Sequence, residues 1–108
     1  MLGEIVKVVV DRAMGTYHPD YKSLFYPINY GYIENIIAPD GEEQDAYIVG
    51  VPYPVQQFTG RVIAIVRRKD DNEEKWVVGP IGTSFSKEEI QELVHFQEQY
   101  FDYEIIME

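Results

Sequence analysis

Cysteine is absent from this chain of 108 residues. That excludes disulfides, a thiolate nucleophile and cysteine-bound zinc. Histidine occurs only at positions 18 and 95, too few for a three-histidine zinc site. Basic residues are scarce: 9 Lys+Arg stand against 19 Asp+Glu, a formal net charge of −10. Neutralising nucleic-acid phosphates or anionic lipid headgroups needs the opposite balance, so neither nucleic acid nor a membrane is an expected partner. An acidic chain still binds anions where metal cations stand between. No apolar run approaches the length of a membrane span. The opening stretch MLGEIVKVVV carries Glu4 and Lys7 and makes a poor signal peptide, so a cytoplasmic location is expected. GxxxxGK[ST] and GxGxxG phosphate loops, a GxSxG elbow and HExxH are all missing.

What is present reads as one domain over residues 1–108, since two independent cores are hard to build at this length. Residues 4–10 (EIVKVVV) are β-branched and predict a first strand. Residues 11–24 hold Gly15, His18 and Pro19 and predict a loop. The aromatic segment FYPINYGYI, 25–33, is strand-like, with Pro27 at an edge, a bulge or a strand start. Residues 46–51, 61–67 and 75–79 predict further short strands, and the tail 103–107 suits a returning strand. One helix is expected from Ser86, which forms a capping-box pair with Glu89. Ile90, Leu93, Val94, Gln97 and Phe101 recur at helical spacing, and all but Gln97 are apolar. Short strands, regular turns and one late helix favour a small α+β barrel, closed to remove its edges.

Charge is unevenly placed. No Lys or Arg occurs from Ser23 to Gly60, while four acids crowd into DGEEQD, 40–45. Carboxylates without Cys or His nearby suit hard cations, Mg²⁺ or Mn²⁺. On composition alone a solvated, idle turn is the favoured reading of the run, since charge runs are usually solvated. KDDNEEK, 69–75, is a second acidic group, read as a hairpin loop. Two such loops facing one another, with Lys75 at the rim, would set a cation site beside a fixed positive charge, as phosphoryl transfer requires. Tyr26, Tyr30 and Tyr32 share one face of an extended segment. Aromatic packing and hydrogen bonding to phosphate both account for them. His95 is expected to be structural.

FYPINYGYI followed by DGEEQD resembles the F-Y-P-x-N-Y-G-Y-I … D-G-D-P-x-D segment of the soluble family I inorganic pyrophosphatases. VGVPYPV, KWVV after DDNEE, and HFQEQY at 95–100 continue the resemblance in chain order over roughly residues 7–104. The resemblance implies a five-stranded OB-like β-barrel with one C-terminal helix packed on it. It implies Mg²⁺-dependent hydrolysis of inorganic pyrophosphate, a small phosphate-containing substrate. By the same resemblance, Asp40, Glu42, Asp45, Asp70 (or Asp71) and Glu73 would hold metal. Glu42, Asp45 and Tyr30 would act at the reacting centre. Arg12, Tyr26, Lys75 and Tyr100 would bind substrate. Arg12 has an alternative, in which Lys7 and Asp11 align with an earlier hairpin and Arg12 loses the role. A homo-oligomer is left open.

The chain also departs from the pattern. It is short against the family, mainly at both ends. Glu42 stands where the pattern has its middle aspartate, Glu43 where it has proline, and Phe101 where it has lysine. Phe101 offers neither a hydrogen bond nor a charge, so weak or altered activity is expected. Hydrolysis of another phosphoanhydride or phosphoester, and a non-catalytic binding homologue, are the competing readings.

Overall fold

The computed structural model describes residues 1–107. Its elements run β1 (Ile5–Arg12), β2 (Asn29–Ile37), β3 (Glu43–Ile48), β4 (Gln57–Arg68), β5 (Glu74–Gly79), α1 (Lys87–Glu98) and β6 (Tyr103–Ile106). The sheet order is β1-β2-β3-β5-β4-β6, and β1 pairs β4 as well, so five strands close into a barrel. Strand β6 adds to the far end of β4, from Ile65↔Ile106 to Arg68↔Tyr103. The expected five-stranded barrel with one helix is therefore the observed fold, and the tail does return as a strand.

Closure sorts the apolar residues into two sets. Val6, Val8, Ile33, Ala46, Ile48, Val62, Ile65, Trp76 and Val78 come from all five barrel strands and fill the interior. Tyr30, Tyr47, Ala64, Val66 and Val77 lie on the outer wall and pack with Tyr26 against Ile90 and Val94 of α1. The helix has the expected capping box: the Ser86 side chain accepts from Glu89 N–H, and the Glu89 carboxylate accepts from Ser86 N–H. Satisfying those N–H groups fixes where the helix starts. Its last turn then brings Gln97 and Glu98 to the barrel wall.

Three irregularities displace elements from their sequence-based positions. A register shift between Val62 and Ala64 inserts one residue into β4. Val62 thus faces the interior while Ala64 and Val66 face the helix, an alternation that no strict period of two reproduces. A second shift, between Val10 and Arg12, lets β1 run on to pair Arg12 with Tyr30, so Arg12 belongs to a strand rather than a loop. Thirdly, β2 begins at Asn29, after Pro27, because proline ends the ladder by removing a donor. Tyr26 sits before that strand, in a chain crossing where Phe25 bridges Tyr17.

Strands β1 and β2 approach most closely at Gly31, where a Cβ would collide with the backbone of Val9 and Val10. Gly31→Ala is expected to destabilise the barrel by about 1–3 kcal/mol through overpacking. Urea unfolding of the two proteins checks this, and an unchanged midpoint contradicts the close approach.

Candidate functional site

Strands β3 and β5 are parallel neighbours, with Ala46↔Trp76 and Ile48↔Val78 in register. The acidic turns preceding them, 38–42 and 69–73, therefore leave from the same end of the barrel. The parallel register sets Asp45 beside Lys75, and Lys75 Nζ lies 2.6 Å from Asp45 Oδ2. Lys75 is 4% exposed, so it belongs to the wall and not to the rim where the sequence had placed it. Its Nζ also lies 3.6 Å from Glu73 Oε2 and 5.8 Å from the Tyr30 ring centroid. Burial opposes its charge, but Tyr30 and the Asp45 carboxylate outweigh that cost and raise its pKa above the ordinary lysine value. Burial likewise raises the Tyr30 phenol, against the lowering effect of Lys75, so at neutral pH it stays a neutral donor.

On the other side of β2, Arg12 donates to the Tyr26 hydroxyl at 3.3 Å. The Tyr26 and Tyr30 rings lie 5.7 Å apart. Asp11 precedes Arg12 at the β1 irregularity. Burial raises its carboxyl, Arg12 and a backbone hydrogen bond offset part of that, and the charge of Asp45 adds to the rise.

A polar network ties these groups to the helix. Tyr26 Oη donates to Gln97 Oε1 at 2.8 Å, and Gln97 Nε2 donates to Tyr47 Oη at 2.7 Å. Tyr47 Oη donates to Glu98 Oε2 at 2.6 Å. Glu98 is fully buried and faces Arg68, whose Nε and Nη2 donate to its two oxygens at 2.9 and 3.1 Å. Arg68 Nη1 also donates to Glu73, which closes the path back to Lys75. Phe101 roofs the guanidinium at 3.6 Å. Among the described residues no buried side-chain nitrogen or oxygen is left without a partner. The whole path runs along the outer wall, because Arg12, Tyr30, Asp45, Tyr47, Lys75 and Arg68 occupy outward positions of successive strands.

Several expected ligands are not brought together. Asp40 is exposed, and its Oδ1 accepts the N–H of Glu42 within the same turn. Glu42 is also exposed. Asp70 sits at the tip of the β4–β5 turn, where Asp71 Oδ1 caps Glu73 N–H and leaves Asp70 in solvent. Glu73 does reach the wall, but two side-chain cations, Arg68 and Lys75, already engage it. Among the described residues no three His, Cys, Asp or Glu converge to hold a metal. The second half of the expected ligand set, Asp70 with Glu73, therefore does not fit a cation cage, since an arginine occupies the place where charge must be balanced. The first half, Asp40, Glu42 and Asp45, matches a hard cation in donor chemistry, since every donor is oxygen, but Asp40 and Glu42 stay in their exposed turn and Asp45 pairs with Lys75, so the three do not converge. Tyr100 is 70% exposed. It lines a cleft of about 440 Å³ with His18, Tyr21, Leu24, Arg68, Gln97 and Phe101.

Arg68, Glu98, Tyr47 and Asp11 were missing from the sequence-derived set. One signal pointed to the network: Gln97 is the single polar residue on the apolar stripe of the helix. His95, expected to be structural, is exposed with Nδ1 3.4 Å from the Tyr103 hydroxyl.

A closed five-stranded barrel with one helix on its wall, carrying lysine, arginine and tyrosine beside carboxylates, defines a small OB-like α+β protein suited to anionic ligands. The chain belongs to the inorganic pyrophosphatase family, whose sequence model matches residues 3–102. It is 33% identical over 112 residues to an inorganic pyrophosphatase of Salmonella typhimurium, covering 88% of this chain and 60% of that protein. To that of Bacillus sp. (strain PS3) it is 28% identical over 113 residues, covering 89% and 68%. The chain thus spans about two thirds of the length of these relatives. In fold it is similar to the crystal structure of an inorganic pyrophosphatase from Ehrlichia chaffeensis, with a TM-score of 0.73 at 16% identity over 99% of this chain and 88% of that one. No helix among the described residues is long and apolar enough to cross a membrane.

Proposed function

We propose that the chain hydrolyses inorganic pyrophosphate to two phosphates. The observation that carries this reading is the Lys75–Asp45 pair at 2.6 Å, flanked by Tyr30 and by Arg12 on Tyr26. Lys75 and Arg12 bind diphosphate oxygens from two sides of β2, and the neutral Tyr30 phenol donates to one of them. These donors sit on strands, so they are oriented before substrate arrives. A water oxygen bonds to one phosphorus, the bridging P–O bond breaks, and its electron pair stays on the second phosphate. Glu42, at the solvent end of the acidic turn, takes the proton from that water. A divalent cation, Mg²⁺ or Mn²⁺, held by Asp40, Glu42 and Asp45, would supply charge neutralisation and a more acidic water.

The test is phosphate release from pyrophosphate with and without Mg²⁺. Release that needs Mg²⁺ supports the reading, and no release in either condition overturns it. For the metal, calorimetry with Mn²⁺ should show Asp45→Asn weakening the affinity by at least about tenfold, the scale on which altered ligand environments act. Equal affinity in both proteins removes Asp45 from the ligand set.

A further inference from the structure

The cleft that holds Tyr100 is far larger and more aromatic than a bare diphosphate requires. It is lined by His18, Tyr21 and Leu24 from the connection between β1 and β2, by Tyr100 and Phe101 after α1, and by Arg68 and Gln97. Inorganic pyrophosphate has only charged oxygens and no group to set against such rings. A planar aromatic group gains from them by stacking, as bases do on aromatic side chains in single-strand binding sites.

The near wall is a fixed structure and not a loose tail. His18 Nδ1 accepts the N–H groups of Asp20 and Tyr21 at 3.0 and 3.2 Å. The rings of His18 and Tyr21 lie 4.9 Å apart, and His18 stacks toward Tyr26 at 6.4 Å. His18 N–H and Leu24 C=O are hydrogen-bonded at 2.9 Å, which closes the loop at its neck. Yet the ring of Tyr21 is left largely in water, with the residue 68% exposed, and Tyr100, which lines the same cleft, is 70% exposed. Two tyrosines held at a cleft mouth in this way lack the partner that their apolar faces would cover.

The cleft also abuts the diphosphate-binding wall at two points. Arg68 at its base shares Glu73 with Lys75, whose Nζ is 3.6 Å from Glu73 Oε2. Gln97 accepts from Tyr26 at 2.8 Å, and Tyr26 in turn accepts from Arg12. Glu73 and Gln97 thus connect the aromatic cleft to the wall that carries Lys75 and Arg12.

We propose that, beside inorganic pyrophosphate, the site takes a phosphoanhydride carrying a planar aromatic group, of the nucleoside diphosphate kind, and that the cleft lined by Tyr21 and Tyr100 seats that group. The proposal rests on the diphosphate reading above. Binding separates the two. Calorimetry is run on the full chain in Mg²⁺ with ADP and with methylenediphosphonate, a non-hydrolysable diphosphate without an aromatic group. ADP is expected to bind about tenfold more tightly or better. Tyr21→Ala should remove that advantage, lowering ADP affinity by about tenfold, while methylenediphosphonate binds as to the unaltered protein. Circular dichroism of the variant confirms that it is folded, and Tyr21→Phe, which keeps a ring, should restore ADP affinity. If methylenediphosphonate binds but ADP binds no better, or if Tyr21→Ala leaves ADP affinity unchanged, the cleft proposal is overturned and the diphosphate reading stands. If neither ligand binds, both are overturned.

Discussion

Lys75→Met is expected to lower kcat/KM for pyrophosphate by about 10²–10³-fold, the usual effect of deleting one preorganised donor to developing negative charge. The ammonium is held by the barrel wall, stays protonated at neutral pH and stands 2.6 Å from Asp45. Methionine fills a similar volume without the charge. The carboxylates it abandons, Asp45 and Glu73, are each about one third exposed and remain hydrated, so the fold should survive. Thermal unfolding and phosphate release measured on the same sample separate the two effects. A loss in rate of less than about tenfold would take Lys75 out of the substrate-binding wall.

The second large effect concerns stability. Arg68→Met is expected to cost about 3–5 kcal/mol, because it leaves the carboxylate of Glu98 buried and unpaired. Glu98 is fully buried and takes two hydrogen bonds from the guanidinium. The double variant Arg68→Met with Glu98→Gln removes the stranded charge, so it should be more stable than the single Arg68 variant. Urea denaturation of the four proteins completes the cycle. Additive effects, with no recovery in the double variant, would show that the pair is not the source of the loss.

The barrel was legible because its signals are local. β-branched runs, turn residues and the Ser86–Glu89 box each sit within a few positions of what they specify. Tyr30, Asp45 and Lys75 were singled out through short motifs, and the parallel pairing of β3 with β5 does bring the latter two together. Arg68 was passed over because Arg67-Arg68 at a strand end looks like two solvated bases. Only Arg67 answers that description, pairing with Glu74 near the surface, while Arg68 turns inward to Glu98, thirty residues away. No local pattern carries that pairing. Asp70 failed for the opposite reason: its neighbours match a motif, but the Asp71 cap on Glu73 decides which acid stays in the turn. Tyr100 likewise lies where the helix stripe ends, and its position depends on how the chain turns into β6.

The closure of β1 onto β4 bears on how the protein comes into being. Ile5 meets Arg61 and Val9 meets Gln57, so this seam joins segments about fifty residues apart. The cationic wall lies on both sides of it: Arg12 arrives on β1, Arg68 on β4, and Lys75 on the strand paired to β4. Such distant pairings must pay loop-closure entropy before any contact rewards them, and barrels built from them fold in about milliseconds to seconds. A chain emerging from synthesis therefore carries one tyrosine-rich strand, β2, and an acidic turn well before it carries a site. The pocket assembles in the same late event that seals the sheet.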